Sequence, residues 1–523
     1  MSDMEGANNM KEHLAINIKD EKMGYDNPVM EQPPQMKFRK ISNVTNYVAN
    51  DRAAADQPNN VSSHHNKSHP DNSLRSVKVT MPNSMKPQKV PAEKEYEPYD
   101  NREVKHPTTY WETLIHMLKA SLGTGILAMP DAFHNAGYVV ATIGTIVIGF
   151  LCTYTIHILV SSEYELCRRK KLPCMNYPST AQTAAAEGPP FARKLTPYIP
   201  NICNAFLLMY QIGSCCIYVV FISSNVKDVV DHYYSVQYGE PSFDVRYYML
   251  IFLLPLILIN WVRNLKYLAP LSTLANIVTL ISFAIIFYYM FSEVPDIHNR
   301  EAVAPFKAMP LFFGTVLFAM EAIGVVMPLE NEMKEPKKFG SAFGVLNCAM
   351  LPITLLYTFV GFFGYLKYGP DVKGSITLSL PPGDVLAQSA RLMLAFAIFV
   401  THGLACYVAV DISWREYVEP KVVKGKIIWE YITRTILVLI TIILAIAIPD
   451  LELFISLIGA LSLSTLGLSF PALIQLCTFW YEYEGVQFVL FFLKNLTISL
   501  IALLGFVVGT YTSIQAIIVK FFS

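Results

Sequence analysis

From residue 110 onward the chain is a succession of apolar blocks, each near the roughly 20 residues an α-helix needs to cross the hydrocarbon core of a bilayer. A segment in hydrocarbon must pair its own backbone N–H and C=O groups, so each block is predicted to be a helix. The fold class that follows is an all-α integral membrane protein. The blocks fall near 111–133, 138–160, 199–225, 247–262, 267–291, 309–330, 342–366, 387–410, 428–448, 451–478 and 488–519, about eleven transmembrane helices in all. The fourth is the shortest, and only the stretch Arg263–Lys266 divides it from the fifth. Charged residues make up 16% of the chain, against roughly 25% in a soluble domain. Net charge is zero and no basic stripe occurs, which argues against a nucleic-acid partner.

The first 106 residues are different in kind. They are rich in Asn, Ser, Pro, Lys and His, and such a segment cannot bury enough apolar surface to offset the entropy of ordering it. Residues 1–106 are therefore read as a disordered tail, and 107–523 as the transmembrane domain. Asp3, Glu5, Lys11 and Glu12 interrupt the start, which has no apolar core of the kind a signal peptide needs. His64, His65 and His69 read as part of a solvated polar tract rather than as metal ligands. Nine cysteines lack zinc-type or disulfide-framework spacing. Cys203, Cys215, Cys216, Cys348, Cys406 and Cys477 fall in apolar blocks and are expected to pack as small hydrophobes.

Basic residues in the connections set the direction of the chain. One set of loops holds fifteen Lys and Arg residues, among them Arg168, Arg169, Lys170, Lys171, Lys337 and Lys338. The opposite set holds seven, from Lys227 to Lys520. This asymmetry predicts a cytosolic N-terminus. The connection carrying Glu330, Glu332, Lys334, Glu335, Lys337 and Lys338 reads as solvated.

Two spans carry helix breakers where a continuous helix would serve a simple anchor better. The first reads HMLKASLGTGILAMP, with Gly123-Thr124-Gly125 at mid-depth and Pro130 beyond it. The sixth reads LFFGTVLFAMEAIGVVMPLENE, with Gly314, Gly324 and Pro328. Spans one and six would open the two halves of a five-plus-five inverted repeat, where interrupted helices form a site near the bilayer midplane. Half-helix N-termini there would offer free N–H groups to a carboxylate. The competing reading is that these glycines only let helices approach closely.

The stretch TLIHMLKASLGTGILAMPDAFHNAGYV resembles the first helix of proton-coupled amino-acid transporters of the amino acid/auxin permease family. LFFGTVLFAMEAIGVVMPLENEMKEPKKF resembles their sixth, and QIGSCCIYVVFISSN their third. The resemblance covers residues 107–523. It implies a LeuT-like fold of ten helices plus one, and symport of small neutral amino acids with a proton as coupling ion and no other cofactor. It places Ser121, Gly123, Thr124, Gly125, Tyr210, Ser214, Phe318 and Gly324 around the substrate. Sodium-coupled relatives carry Asn where this chain has Ser121, and several relatives carry Phe at the position of Ser214. The outer-loop cysteines that relatives pair are absent from 226–246, 292–308 and 367–386.

Ionisable residues inside a span cost roughly 2.5–3.5 kcal/mol each at the helix centre and mark function when present. His116 stands two turns before the Gly-Thr-Gly break, where the resemblance puts the family's proton-linked histidine. Its ordinary pKa near 6.5 suits proton exchange around physiological pH. Glu321 lies three residues before Gly324, on nearly the same face. His116 and Glu321 are thus the candidate proton carriers, with His402 in span eight a weaker third. No Walker loop, HExxH or GxSxG nucleophile motif is present, so no enzyme is expected. The expected protein is a multi-pass transporter of the plasma or lysosomal membrane. A transporter-like sensor that signals through its tail or loops is the alternative.

Overall fold

The computed structural model describes residues 96–523 apart from 105, 122, 240–242, 265–266, 321–322 and 523. His64, His65, His69 and the rest of the polar tail up to residue 95 lie outside the described residues, as does Lys266. Among the described residues the chain is helical, with one isolated parallel bridge between Thr108 and Met333. Nine helical stretches among the described residues, from Tyr138–Lys170 to Gly485–Phe521, are long and apolar enough to cross a membrane. Val245–Asn260 is a shorter apolar helix, and the first span is built in two pieces, Tyr110–Ser121 and Thr124–Ala136. Together these are the eleven expected spans. At 1.5 Å per residue the fourth is about 24 Å long, short of the ~30 Å hydrocarbon core. It ends at Asn260, and the fifth begins at Ala269, so the basic stretch between them does separate two helices.

The outer faces of the bundle are apolar. Phe150, Ile251, Leu254, Leu490 and Leu504 all stand exposed, a surface that would drive association in water but that lipid tails solvate. Inside, small residues let helices close on one another. Gly361 and Gly364 of span seven, Val345–Tyr368, receive the Phe133 ring and the Pro130 ring of span one. Gly149 of span two faces the Thr354 side chain of span seven. The nine cysteines are all free; Cys203, Cys215, Cys216 and Cys406 are buried, while Cys348 and Cys477 are only half-buried.

The segment just before span one is packed on the helical body, although its composition reads as tail. The described part of this segment begins at Tyr96. Tyr99 stacks against Tyr164 of span two with ring centroids 4.8 Å apart. Arg102 enters the bundle and pairs with Glu330 at 3.1 Å. Glu330 was expected in a solvated connection and is instead buried, because this guanidinium reaches it from 228 residues away in sequence. Glu332, Lys334, Glu335, Lys337 and Lys338 do remain exposed.

A second buried arginine shows how the bundle tolerates charge. Arg391 of span eight, Val385–Ile412, gives Nε to the Thr377 carbonyl at 2.9 Å and Nη2 to the Leu380 carbonyl at 2.6 Å. It thereby closes the end of the short helix Ile376–Ser379. Arg391→Ala strands two buried carbonyls, each worth about 1–3 kcal/mol. The variant is expected to unfold several degrees below the wild type in detergent. An unchanged melting temperature would show that these carbonyls find other donors.

Candidate functional site

The Gly-Thr-Gly prediction is met by a real interruption. The helix stops at Ser121 and resumes at Thr124, with Gly123 in an extended conformation, φ −123° and ψ −153°. The Ser121 carbonyl, freed from the helix ladder, accepts from the Gly123 N–H at 3.0 Å and from the Tyr357 hydroxyl of span seven. The Ser121 hydroxyl turns back to the Met117 carbonyl at 3.2 Å. On the far side of the break, the first N–H groups of Thr124–Ala136 have no preceding turn to bond, and Thr124 is buried there.

The sixth span is interrupted in the same way. It runs as Met309–Ala319 and then Ile323–Asn331, with the Met320 N–H returned to the Val316 carbonyl at 2.9 Å. Glu321 falls in the gap and lies outside the described residues. Gly324, in the first turn of the second piece, is exposed. The two interruptions adjoin. A Cβ placed on Gly125 would stand 2.6 Å from the Ala319 Cα, so the second residue past the first break lies against the last residue before the second break. Gly125 is therefore a close-approach glycine. Gly123 is of another kind, since nothing lies within 4 Å of where its Cβ would be.

Span three, Ile199–Tyr238, supplies a wall. The Tyr210 and Phe318 rings face each other with centroids 6.5 Å apart. Ser214, one turn along from Tyr210, is buried with a hydroxyl that has no protein partner. Phe318 is buried at the edge of the break. All eight predicted substrate residues thus lie at or beside the paired breaks or on the adjoining wall of span three, with Gly324 on an exposed face.

Of the predicted proton carriers, Glu321 lies outside the described residues, and His116 is exposed on Tyr110–Ser121. His402 is fully buried, its Nδ1 3.3 Å from the Asn260 amide of span four and its Nε2 without a partner. That geometry suits a packed histidine that ties spans four and eight together. No group of three or more His, Cys, Asp or Glu residues that could hold a metal occurs among the described residues.

Sequence reasoning missed span ten. Its centre, Gly459–Ser469, winds as a π-helix, a geometry often found at functional positions. A Cβ on Gly459 would press on the Gly314 carbonyl and stand 3.2 Å from the Phe318 Cβ; Gly213 lies against the Ile458 side chain. Span ten therefore meets spans three and six at the level of Tyr210 and Phe318. Ser462 and Ser464 are buried there without a protein partner. The small-residue run GALSLSTLGLS was the available clue.

These glycines make a paired test. Gly125→Ala should lower thermal stability by about 1–3 kcal/mol through overpacking. Gly123→Ala should leave stability intact and raise the apparent KM for uptake, because its Cβ enters open space beside the free N–H groups. Equal effects on stability from both would contradict this division of roles.

Comparison with known proteins agrees with this arrangement. A family model described as transmembrane amino acid transporter protein matches residues 106–515. The chain is 38% identical over 425 residues to a Drosophila melanogaster protein named proton-coupled amino acid transporter-like protein pathetic, covering 81% of this chain and 88% of that one. It is 25% identical over 417 residues to the probable amino acid transporter skat-1 of Caenorhabditis elegans, covering 78% of this chain and 90% of that one. Among solved structures it resembles the inward-facing conformation of Mhp1, with a TM-score of 0.50 at 12% identity, over 80% of this chain and 91% of that one. This likeness gives the LeuT-type fold, in which broken first and sixth helices are expected. The chain is a multi-pass membrane protein of the transmembrane amino acid transporter family, a transporter and not an enzyme.

Proposed function

We propose that the protein is a secondary transporter that moves small neutral amino acids together with a proton. The observation that carries this reading is the meeting of the two broken helices at Gly125 and Ala319. A zwitterion needs donors for its carboxylate and acceptors for its ammonium. Half-helix N-termini and C-termini supply both without a side-chain charge. The aromatic pair Tyr210 and Phe318 borders the break closely, which favours a small side chain on the substrate.

Proton rather than sodium coupling draws on three supports. Ser121 stands where sodium-coupled relatives have Asn, and its hydroxyl is turned back onto its own helix. The Drosophila relative carries a proton-coupled name. Two titratable residues, His116 and Glu321, flank the breaks in sequence. The asymmetry of basic residues supports a cytosolic N-terminus, in the plasma or lysosomal membrane.

Uptake of labelled amino acids into proteoliposomes tests the reading. Uptake should rise with an inward pH gradient and persist when sodium is replaced. His116→Ala should cut gradient-driven uptake at least tenfold while membrane delivery stays normal. Uptake that collapses without sodium and ignores pH overturns the proposal, and wild-type uptake by a delivered His116→Ala protein removes that residue from the route.

Ser214 offers a test of selectivity. If its unpartnered hydroxyl borders the substrate side chain, Ser214→Phe should shift preference toward glycine and alanine by roughly 1–3 kcal/mol, the scale of one methylene in an apolar pocket. A uniform loss of activity with the substrate order unchanged would make Ser214 a packing residue.

A further inference from the structure

The half-helix Tyr110–Ser121 stops at Ser121, and its span resumes as a helix only at Thr124, with Gly123 extended between them. It packs by Leu114 and Met117 and is tied at its break end by Tyr357, and its opposite end is held separately. There, Thr108 forms the parallel bridge to the end of span six: its N–H donates to the Glu332 carbonyl at 2.8 Å, and its carbonyl accepts from the Lys334 N–H at 2.9 Å. Six residues earlier, Arg102 reaches into the bundle between the ends of spans two and six.

The charges around Arg102 do not balance. Its side chain is 4% exposed, and those of Glu163 and Glu330 are each 2% exposed. One guanidinium thus faces two buried carboxyl groups. The two are held differently. Arg102 Nη1 donates to both the Glu330 carboxylate and the Glu330 carbonyl, each at 3.1 Å. Glu163 Oε2 lies 3.8 Å from Nη2, and Nη2 has no hydrogen-bond partner. Glu163 Oε1 instead accepts the Cys167 thiol at 3.0 Å and the Met175 N–H at 2.9 Å. The other titratable groups facing this cluster are Tyr99, whose ring lies 4.7 Å from the guanidinium carbon, and Cys174 from the loop after span two. Neither brings positive charge. Among the described residues at this end of the bundle, Lys337 pairs with Glu97 at 3.5 Å.

We propose that Arg102, Glu163 and Glu330 form a proton-operated latch, in which Glu163 is the proton-binding group and the Tyr110–Ser121 half-helix is what the latch holds. With Glu163 protonated, Arg102 and Glu330 neutralise each other, and the buried cluster carries no net charge. When Glu163 loses its proton, one negative charge is left in a site that water barely reaches, a costly state. The cluster relieves it by opening, which admits water to Glu163 and frees the end of the half-helix. The sign is fixed by this balance. The closed cluster holds the Glu163 proton more firmly than the open one, so the closed latch is stabilised at low pH and loses that stability as pH rises. Glu163→Gln should fix the latch closed, since a neutral amide keeps an oxygen for the Met175 N–H. Arg102→Met should leave it open, because Glu330 then has no counter-charge.

The role of this latch in a transport cycle rests on the proton-coupled reading, but its existence does not. Hydrogen–deuterium exchange of residues 96–121 in the full-length protein in lipid nanodiscs reads it directly, with no substrate and no gradient, after correction for the intrinsic pH dependence of exchange. Wild-type protection should fall at least tenfold between about pH 5.5 and 8.0, because raising the pH removes the Glu163 proton that the closed cluster needs. Glu163→Gln should stay protected throughout, and Arg102→Met should be unprotected throughout. Protection in the wild type that does not change with pH, or a Glu163→Gln profile that still follows the wild type, overturns the latch. The wild-type profile needs no variant to fold. Gradient-driven uptake on the same preparations separates the two ideas: a titrating latch with uptake indifferent to pH removes the coupling reading alone, and proton-driven uptake with a pH-independent profile removes the latch alone.

Discussion

A backbone amide in hydrocarbon has no water to bond if its helix fails. Any departure from the α-helical ladder must therefore be met by another donor or acceptor inside the bundle. Each interruption in this protein answers that demand with particular groups. The Ser121 carbonyl is taken by Tyr357 and by the Gly123 amide. The Met320 amide is returned to Val316. In the π-helical stretch of span ten, the Leu466 carbonyl accepts the Tyr177 hydroxyl at 2.6 Å. At each of these places the bond comes from within the bundle, where neighbouring groups supply what lipid cannot.

The same economy separates charged from neutral groups. Each buried guanidinium group keeps at least one nitrogen bonded: Arg391 caps a short helix although its Nη1 has no partner, and Arg434 of span nine bonds the Asn260 carbonyl and Glu430. The groups left without protein partners are mostly hydroxyls, including Ser214, Thr315, Ser462 and Ser464. An unpaired hydroxyl costs far less to bury than an unpaired charge. Polar capacity held in reserve at spans three, six and ten is accordingly of the inexpensive kind, suited to a guest that arrives and leaves.

Hydropathy reads one helix at a time, and what it reads it reads well here. The eleven spans, the short fourth one and the breaks at Gly-Thr-Gly and in the sixth span were all legible, because each depends on local composition. Pairings between distant segments were not. Glu330 sits among charged neighbours in sequence, and only its contact with Arg102 takes it out of solvent. The limit of the tail was hidden for the same reason, since residues 96–104 are polar by composition and ordered by their partners. His116 is exposed on its half-helix, a property that spacing from the break alone does not fix. The π-helix of span ten carries Gly459 and Gly467 but no proline within it, so its irregularity was not marked as plainly as the breaks of spans one and six.

The contact between Gly125 and Ala319 has a consequence for how such a site diversifies. Main chain there rests almost directly on main chain, with one methyl as the spacer. The separation of the two broken helices, and with it the width of the cleft between them, is therefore set by residues that need never touch a cargo molecule. A change in cleft width can come from a single methylene at this bearing, with every lining side chain untouched. Size selection and chemical recognition then become separately adjustable properties of one protein, the first residing in its axle and the second in its walls.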